Sequence, residues 1–537
     1  MDTASLACAA VTLALLVLLQ RLVRRLRDPF AGDAARRAAF EAFPSPFMFS
    51  LPLLGDLPRM LAPGGTVLVN GVRMFRCGPS FRFWCGNLPF VVLSRPEDYE
   101  VIMGSGRFNN KPRPIYRAVE AFFGSGLATI NGDLWRLHRK HITHAFHFRI
   151  LERYVAVFER KARMLVEDKL RPMADGATTL NVFPQFAFVT NETIFETAFG
   201  LDETANKAID PAYRQRFVDA MEFAFGQMQA RVLKPWLLVD WVYWLTADGR
   251  RFFEADRMID EFAVRVIEDR RLKMKDGSRL ASRYSFLDLM MKLEPSEDGA
   301  DRVLNDMEIR GELRTFISVQ QTSATILSFA LIVLALNPDI QDRVVEEVLD
   351  ELGPDGGVAY APLMGLKYME RVLKETMRMY PVLPAMAREC TEDVRVTDGV
   401  IPAGCCIAMA PVYTHRQPEL WEEPGRFDPD RFLPERCADR HPYSYLPFSA
   451  GGRNCIGQKY AMLQMKAVLS ALLRAYEVLP GKGCTSMAEL DRSLDVTTFL
   501  TMPKGFNVRL RPRDLDAAAA PKFTQRLDSA YLLATAR

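Results

Sequence analysis

Charge of one sign is the first thing this sequence lacks. Its 69 Lys and Arg stand against 66 Asp and Glu, a formal net of +3 over 537 residues. That balance leaves no electrostatic footprint for nucleic acid, whose phosphates call for a basic stripe. Cysteine is also scarce: nine residues, an odd number, thinly spread except for the adjacent Cys405 and Cys406. No disulfide framework follows, and a reducing compartment fits that usage. There is no internal repeat, which excludes solenoids and propellers. There is no phosphate-binding P-loop and no nicotinamide fingerprint. What is present is globular: 49% hydrophobic and 25% charged residues, with 33 Pro and 32 Gly. Those proportions exclude disorder and collagen-like chains. A body of this size buries a large core without covalent staples.

The first segment points to a membrane. Thr3 to Gln20 carries no charge and is dominated by Leu, Ala and Val. A span needs about 17 to 25 such residues. Arg21, Arg24, Arg25 and Arg27 follow it, and Asp2 alone precedes it. A cleaved signal peptide carries its positive charge before the apolar run, so this order predicts a retained anchor with the remainder on the cytosolic side. The expected organisation is an anchor with its basic stop over 1–28. A proline-bearing hinge over 29–57 follows, then a body over 58–513 and a low-order tail over 514–537. The hinge includes Phe43 to Leu57 (FPSPFMFSLPLLGDL), a stiff extended link.

The body reads as mainly α with small β-sheets. Apolar and aromatic runs on either side of Gly86-Asn87 predict a hairpin over Phe81 to Ser94. Helical periodicity marks Asp133 to Leu151, Ile150 to Leu170, Met258 to Lys275, Gln341 to Leu352, Leu366 to Met379 and Gln458 to Tyr476. A long helix is expected from about Asn305 to Leu336, with Asn305 or Asp306 as its cap and Pro338 past its end. Thr315 to Asn337 is uncharged and long enough to cross a bilayer. Its Ser318, Gln320, Gln321, Thr322, Ser323, Thr325 and Ser328 instead predict a helix buried in the core beside something polar. Short strands are expected at Val394 to Val396 and Phe506 to Leu510.

The chemistry centres on Cys455, in FSAGGRNCIG over Phe448 to Gly457. A thiolate is a soft ligand for iron. On haem iron it pushes electron density toward bound oxygen and favours O–O cleavage. Gly451, Gly452 and Gly457 let backbone approach a flat porphyrin. Backbone N–H groups and the start of the next helix would keep the sulfur anionic. Arg453 is placed to pair with a propionate.

Three further segments join this one. Glu375 and Arg378 in KETMR share a helix face at i,i+3. Arg431 in FDPDRF offers a third member for a cluster that locks the cysteine loop. Trp135 and Arg139 in WRLHR, at i,i+4, can present an indole N–H and a guanidinium to two propionates.

Together these segments resemble the cytochrome P-450 family of haem-thiolate monooxygenases. WxxxR at Trp135, ExxR at Glu375, the Arg431 segment and FxxGxRxCxG at Phe448 to Gly457 stand in the family's order. The likeness runs from the anchor to about Arg513. The stretches FFGSGLATINGDLWRLHRKHITHAFHFRIL and PFSAGGRNCIGQKYAMLQMK resemble the membrane-bound animal group numbered family 4. The resemblance implies a triangular helical prism around a haem, preceded by one N-terminal anchor helix. It implies haem b with Cys455 as axial iron ligand. It also implies a cytosolic catalytic domain on the endoplasmic reticulum. Electrons come from NADPH through the flavin-containing cytochrome P-450 reductase, with cytochrome b5 as a further donor.

The long helix departs from the family pattern. Where members carry Ala/Gly-Gly-x-Asp/Glu-Thr-Thr/Ser, this chain has Ser318-Val319-Gln320-Gln321-Thr322-Ser323. The resemblance places Thr322, Gln321 and Ser323 at the oxygen-activating position. Thr322 is kept, but Gln321 replaces the acid, and glutamine does not exchange a proton at ordinary pH. Val319 fills space that a glycine leaves open. Water relaying protons past Gln321 preserves the monooxygenase reading. The alternatives are a non-oxygenating haem-thiolate isomerase or dehydratase, and a non-catalytic haem or ligand-binding protein. Some members of the group bind haem through a helix glutamate; Ser318 stands there, so no such ester is expected. His138, His141, His144 and His147 read as one face of a basic helix that, with Lys459, docks an acidic electron donor. Substrate contacts are expected from Phe108 to Leu127, Phe316 to Thr322, Val382 to Met386 and Thr497 to Leu500, which suit a lipophilic molecule.

Overall fold

The computed structural model describes residues 12, 29–30, 32–51, 54–60, 67–201, 210–275, 285–292, 303–354, 356–496 and 498–514. The expected anchor, apart from residue 12, and the tail from 515 onward lie outside the described residues. So does Thr497 of the expected substrate contacts.

The described residues are mostly helical, with four small sheets among them. Phe81–Cys85 and Leu88–Leu93 form the expected antiparallel hairpin, and Gly86 takes the left-handed conformation at its turn, φ 61°. Leu88–Leu93 then pairs in parallel with Cys406–Met409, whose other edge takes Met386–Glu389 antiparallel. That last strand matters for function because it carries Arg388 into the interior. A second sheet joins Leu180–Asn181, Asn507–Pro512 and Tyr476–Pro480.

The long helix runs through the centre. Asn305 caps it: its side chain accepts from the Glu308 N–H while the Glu308 carboxylate accepts from the Asn305 N–H, a reciprocal capping box. The helix is apolar enough to cross a membrane, yet 83% of its most apolar window is buried inside the protein. Phe329 stacks on Tyr380 at 4.9 Å and meets the edge of Phe506 at 4.9 Å. The helix is irregular at one residue, Gln320, which keeps helical dihedrals of φ −66° and ψ −22°. It divides at Gln320 into Asp306–Val319 and Gln321–Leu336, at the polar stretch that departs from the family pattern.

A second helix also divides against expectation. The periodicity over Asp133 to Leu151 resolves into Gly132–Thr143, a tight turn at His144–Phe146, and a new helix Phe148–Met164. Phe146 explains the turn, because its ring stacks over Phe316 of the long helix at 5.9 Å and tilts against Phe286 at 6.2 Å. Burying one aromatic in that pocket outweighs one more turn of helix.

Close approach of backbone fixes where the long helix lies. A Cβ on Gly311 would stand 2.4 Å from the Ser125 carbonyl, and one on Gly126 would stand 2.3 Å from Thr315 Oγ1. The loop before the tryptophan helix therefore rests directly on the long helix. Gly311→Ala is expected to destabilise the protein by about 1–3 kcal/mol through this overpacking, read as a lower thermal unfolding midpoint.

Candidate active site

The cysteine loop is built on one backbone hydrogen bond: Cys455 N–H donates to the Phe448 carbonyl at 2.8 Å. Gly451 turns the loop at φ 67°, where a Cβ would sit 1.9 Å from the Met103 carbonyl. No side chain fits there. The helix Gln458–Ala475 starts directly afterwards with Gly457 as its cap. Cys455 retains accessible surface, yet burial pushes its thiol pKa up, so it faces an internal cleft. The Gly457 N–H bonded to the sulfur, then Arg139 and Lys111, work against that rise.

Cations converge on this cleft. Arg139 reaches from the tryptophan helix Gly132–Thr143 to the residue before the cysteine, donating to Asn454 O at 2.9 Å and Asn454 Oδ1 at 2.6 Å. Arg388 is buried and donates to Ala387 O at 3.0 Å and Ser449 Oγ at 3.4 Å. Lys111 Nζ donates to Ala128 O at 2.5 Å and lies 4.8 Å from the centre of the Tyr116 ring. Burial pushes the Lys111 pKa well below the lysine range, and the charges of Arg388 and Arg453 push it further. Burial also lowers Arg453, with Arg388 and Arg139 adding to the fall. No carboxylate pairs with Lys111, Arg139, Arg388 or Arg453 among the described residues. Keeping these groups charged around a cleft is costly unless an anion shares it. A flat dianion whose metal takes a thiolate fits this donor set and the glycine loop.

Arg453 has protein partners that the sequence did not suggest. It donates to Asn109 O at 2.8 Å, Leu127 O at 3.1 Å, Asn131 Oδ1 at 3.0 Å and Ile130 O. A buried guanidinium must satisfy its rigid fork of donors, and the carbonyls of the turn after Gly126 lie within reach. It therefore staples that turn to the cysteine loop while its charge stays unpaired. Trp135 lies beneath it, ring centre 4.3 Å away, and its indole N–H makes no hydrogen bond among the described residues.

Glu375, Arg378 and Arg431 meet in one fully enclosed cluster. Arg378 grips Glu375 through Nε and Nη2 at 2.7 and 2.8 Å, and Arg431 Nε reaches the same carboxylate at 3.2 Å. Asp428 N–H adds a further bond at 3.0 Å. Arg378 also holds the carbonyls of His415 and Pro424, at 2.8 and 3.0 Å. His415 Nε2 in turn accepts the Leu446 N–H at 2.9 Å, two residues before the cysteine loop. The cluster thus reaches the loop through one imidazole.

On the long helix, Thr322 Oγ1 donates to Val319 O at 2.7 Å, and these two residues are half-buried where Gln320, Gln321 and Ser323 are buried. Gln321 Oε1 is buried without a hydrogen-bond partner. Ser318 Oγ donates to Arg314 O at 2.9 Å. Gln321, Thr322 and Ser323 make no hydrogen bond to the Cys455 loop among the described residues. The tryptophan helix and the long helix are joined instead by His138 Nδ1 and Glu312 Oε1, 2.6 Å apart and both wholly buried. His138 therefore leaves the expected surface face, while His144 and His147 stay exposed.

Sequence reasoning missed Lys111 and Arg388. They lie in NNKPRP and MARE, outside every motif, and only the pairing of Met386–Glu389 with Cys406–Met409 and the turn at Ala128 bring them to the cysteine.

The cytochrome P450 family model matches residues 44–509. Among similar proteins, the probable cytochrome P450 4d20 of Drosophila melanogaster is 31% identical over 92% of this chain and 98% of its own length. Cytochrome P450 4c3 of the same species is 34% identical over 81% of this chain and 82% of its own. Cytochrome P450 4V2 of Pongo abelii is 31% identical over 87% and 89%.

Glu375→Gln is expected to cost about 3–5 kcal/mol, because it leaves two buried guanidinium groups without a counter-charge. Thermal unfolding and haem content of the purified variant measure this. Acid sensitivity follows from His415. Burial, then the Arg378 charge, push its pKa down to about 3, so it stays neutral in the fold. The unfolded chain takes up a proton there below about 6.5. The stability tied to this group is intact above that pH. It is lost as pH falls toward about 3, at up to ~1.4 kcal/mol per unit. His415→Gln should flatten that part of the stability curve.

Proposed function

The chain belongs to the cytochrome P450 family, and we propose that it inserts one oxygen atom into a lipophilic small molecule with NADPH-derived electrons. It is an oxidoreductase of the monooxygenase kind. The family holds a haem through a cysteine thiolate. Bound there, haem supplies the activation of oxygen and the electron-rich iron that thiolate ligation confers.

This chain's own residues take the following parts. Cys455 would hold the iron through its sulfur; burial raises its thiol pKa, the Gly457 N–H and the charges of Arg139 and Lys111 oppose that rise, and metal binding would displace the proton. Lys111, Arg388 and Arg139 would neutralise the two propionates, and Trp135 could add its indole N–H. Arg453 holds the turn 127–131 against the loop. Phe448, Gly451 and Gly457 give the loop its shape. Glu375, Arg378 and Arg431 lock the segment leading into it. Thr322 would offer its hydroxyl, which here donates to Val319 O, to the oxygen chemistry. The single observation carrying this assignment is the set of unpaired cations around an accessible cysteine. Ser318 offers no carboxylate, so the haem is held without an ester link.

Electrons come from the NADPH-dependent P-450 reductase, with cytochrome b5 as a second donor. The protein works at the endoplasmic reticulum membrane. Exposed Trp241, Trp244 and Leu245, together with exposed Met48 and Phe49, support a membrane-facing side. The replacement of the acid by Gln321 supports a second reading, an isomerase or dehydratase that needs no reductase.

The carbon-monoxide spectrum of the reduced protein tests the ligand: wild type should show the thiolate band and Cys455→Ala should lose it. A retained band would remove Cys455 from the site. Turnover under ¹⁸O₂ with reductase, NADPH and a mixed lipid extract then tests the reaction. One labelled atom per product supports oxygen insertion. Conversion without label selects the isomerase or dehydratase.

A further inference from the structure

Three of the four cations at the cleft hang on one piece of chain. The turn 127–131 leads into the tryptophan helix Gly132–Thr143. Lys111 is tied to that turn through Ala128 O and through Asn131, whose side-chain oxygen accepts the Lys111 N–H at 2.9 Å while its amide donates to Lys111 O at 2.9 Å. Arg453 grips the same turn through Leu127 O, Ile130 O and Asn131 Oδ1. Arg139 rides on the helix itself and reaches Asn454. A shift of this unit moves all three charges, and the indole of Trp135 with them.

His138 joins this unit to the long helix. Its Nδ1 lies 2.6 Å from Glu312 Oε1, and both residues are wholly buried. His138 Nε2 has no hydrogen-bond partner among the described residues, with Glu308 Oε1 3.8 Å away. Burial pushes the Glu312 pKa up, and the His138 ring and the Leu127 N–H oppose the rise. The turn as well as the helix therefore faces this one carboxylate. A buried pair of this kind gives little net stability, and apolar side chains of similar volume often serve as well or better. What apolar packing does not supply is geometry: a hydrogen bond fixes distance and direction, whereas hydrophobic contact is non-directional. We propose that Glu312 is a positioning residue for haem, setting Arg139, Lys111 and Arg453 against the two propionates through His138 and the turn at Leu127. The inference rests on the haem-thiolate reading and extends it to a pair that stands behind the cations.

Three variants of the full-length haem protein test this. Glu312→Gln keeps the length and an acceptor oxygen and loses the charge. Glu312→Asp keeps the charge and is one methylene shorter. His138→Leu combined with Glu312→Leu replaces the pair by apolar packing. A thiolate band with carbon monoxide certifies each variant as folded. Two readouts need no turnover: the rate of haem loss to excess apomyoglobin, and the propionate bending modes in the resonance Raman spectrum of the ferric protein. Glu312→Asp and the double variant should lose haem about tenfold faster, the low end of what outer-shell partners cost, and should shift the propionate modes. Glu312→Gln should match wild type in both. If the double variant lacks the thiolate band, Glu312→Asp and Glu312→Gln decide. Unchanged haem loss and unchanged propionate modes in Glu312→Asp overturn the proposal and make the pair core packing. Equal losses in Glu312→Gln and Glu312→Asp also overturn it, because charge rather than reach is then at work. A wild type without the thiolate band defeats the haem-thiolate reading itself, and the inference with it.

Discussion

Unpaired positive charge facing the cysteine is the constraint on which the rest depends. Lys111, Arg139, Arg388 and Arg453 arrive from a loop, a helix, a strand edge and the cysteine loop itself, and none meets a carboxylate among the described residues. Each buried ion of this kind costs several kcal/mol when isolated. The Glu375 cluster shows that the same chain pairs buried charge when the purpose is structural. There, two guanidinium groups share one carboxylate and fill their remaining donors with carbonyls. The two sites use the same side chains toward opposite ends. One is closed within the protein, and the other suits a dianion. Binding that favours the folded state over the unfolded one stabilises the chain by mass action, so folding and cofactor loading are coupled here.

The supports around the site follow from that demand. Arg453 and the Phe448 carbonyl hold the cysteine loop from two sides. His415, kept neutral by burial, passes the rigidity of the Glu375 cluster to Leu446. The His138–Glu312 pair fixes the tryptophan helix to the long helix, so the two faces of the cleft are set relative to each other. The long helix is irregular at Gln320, beside the bare Gln321 side-chain oxygen, where the family pattern puts an acid.

Much of this was legible in sequence, and the parts that were not share a cause. The hairpin at Gly86, the capping box at Asn305 and the three-residue Glu375 cluster are local or motif-borne, and spacing exposes them. The break at His144 was not, because it is set by Phe146 packing on Phe316 and Phe286, far along the chain. Lys111 and Arg388 were missed for the same reason: their role comes from sheet pairing and a turn. The carbonyl partners of Arg453 were not legible either, since spacing locates a guanidinium and only tertiary structure says which carbonyls surround it.

The most direct measurement compares haem with its dimethyl ester in titrations of the haem-depleted full chain. Esterification keeps the iron, the ring and the thiolate bond and removes both negative charges. If unpaired cations define the site, the ester binds at least about a hundredfold more weakly, because it leaves buried charge uncompensated. Charge-neutral variants at Lys111 and Arg388 should narrow that gap. Equal affinity for the two compounds would contradict the account and show that the cations serve the fold alone.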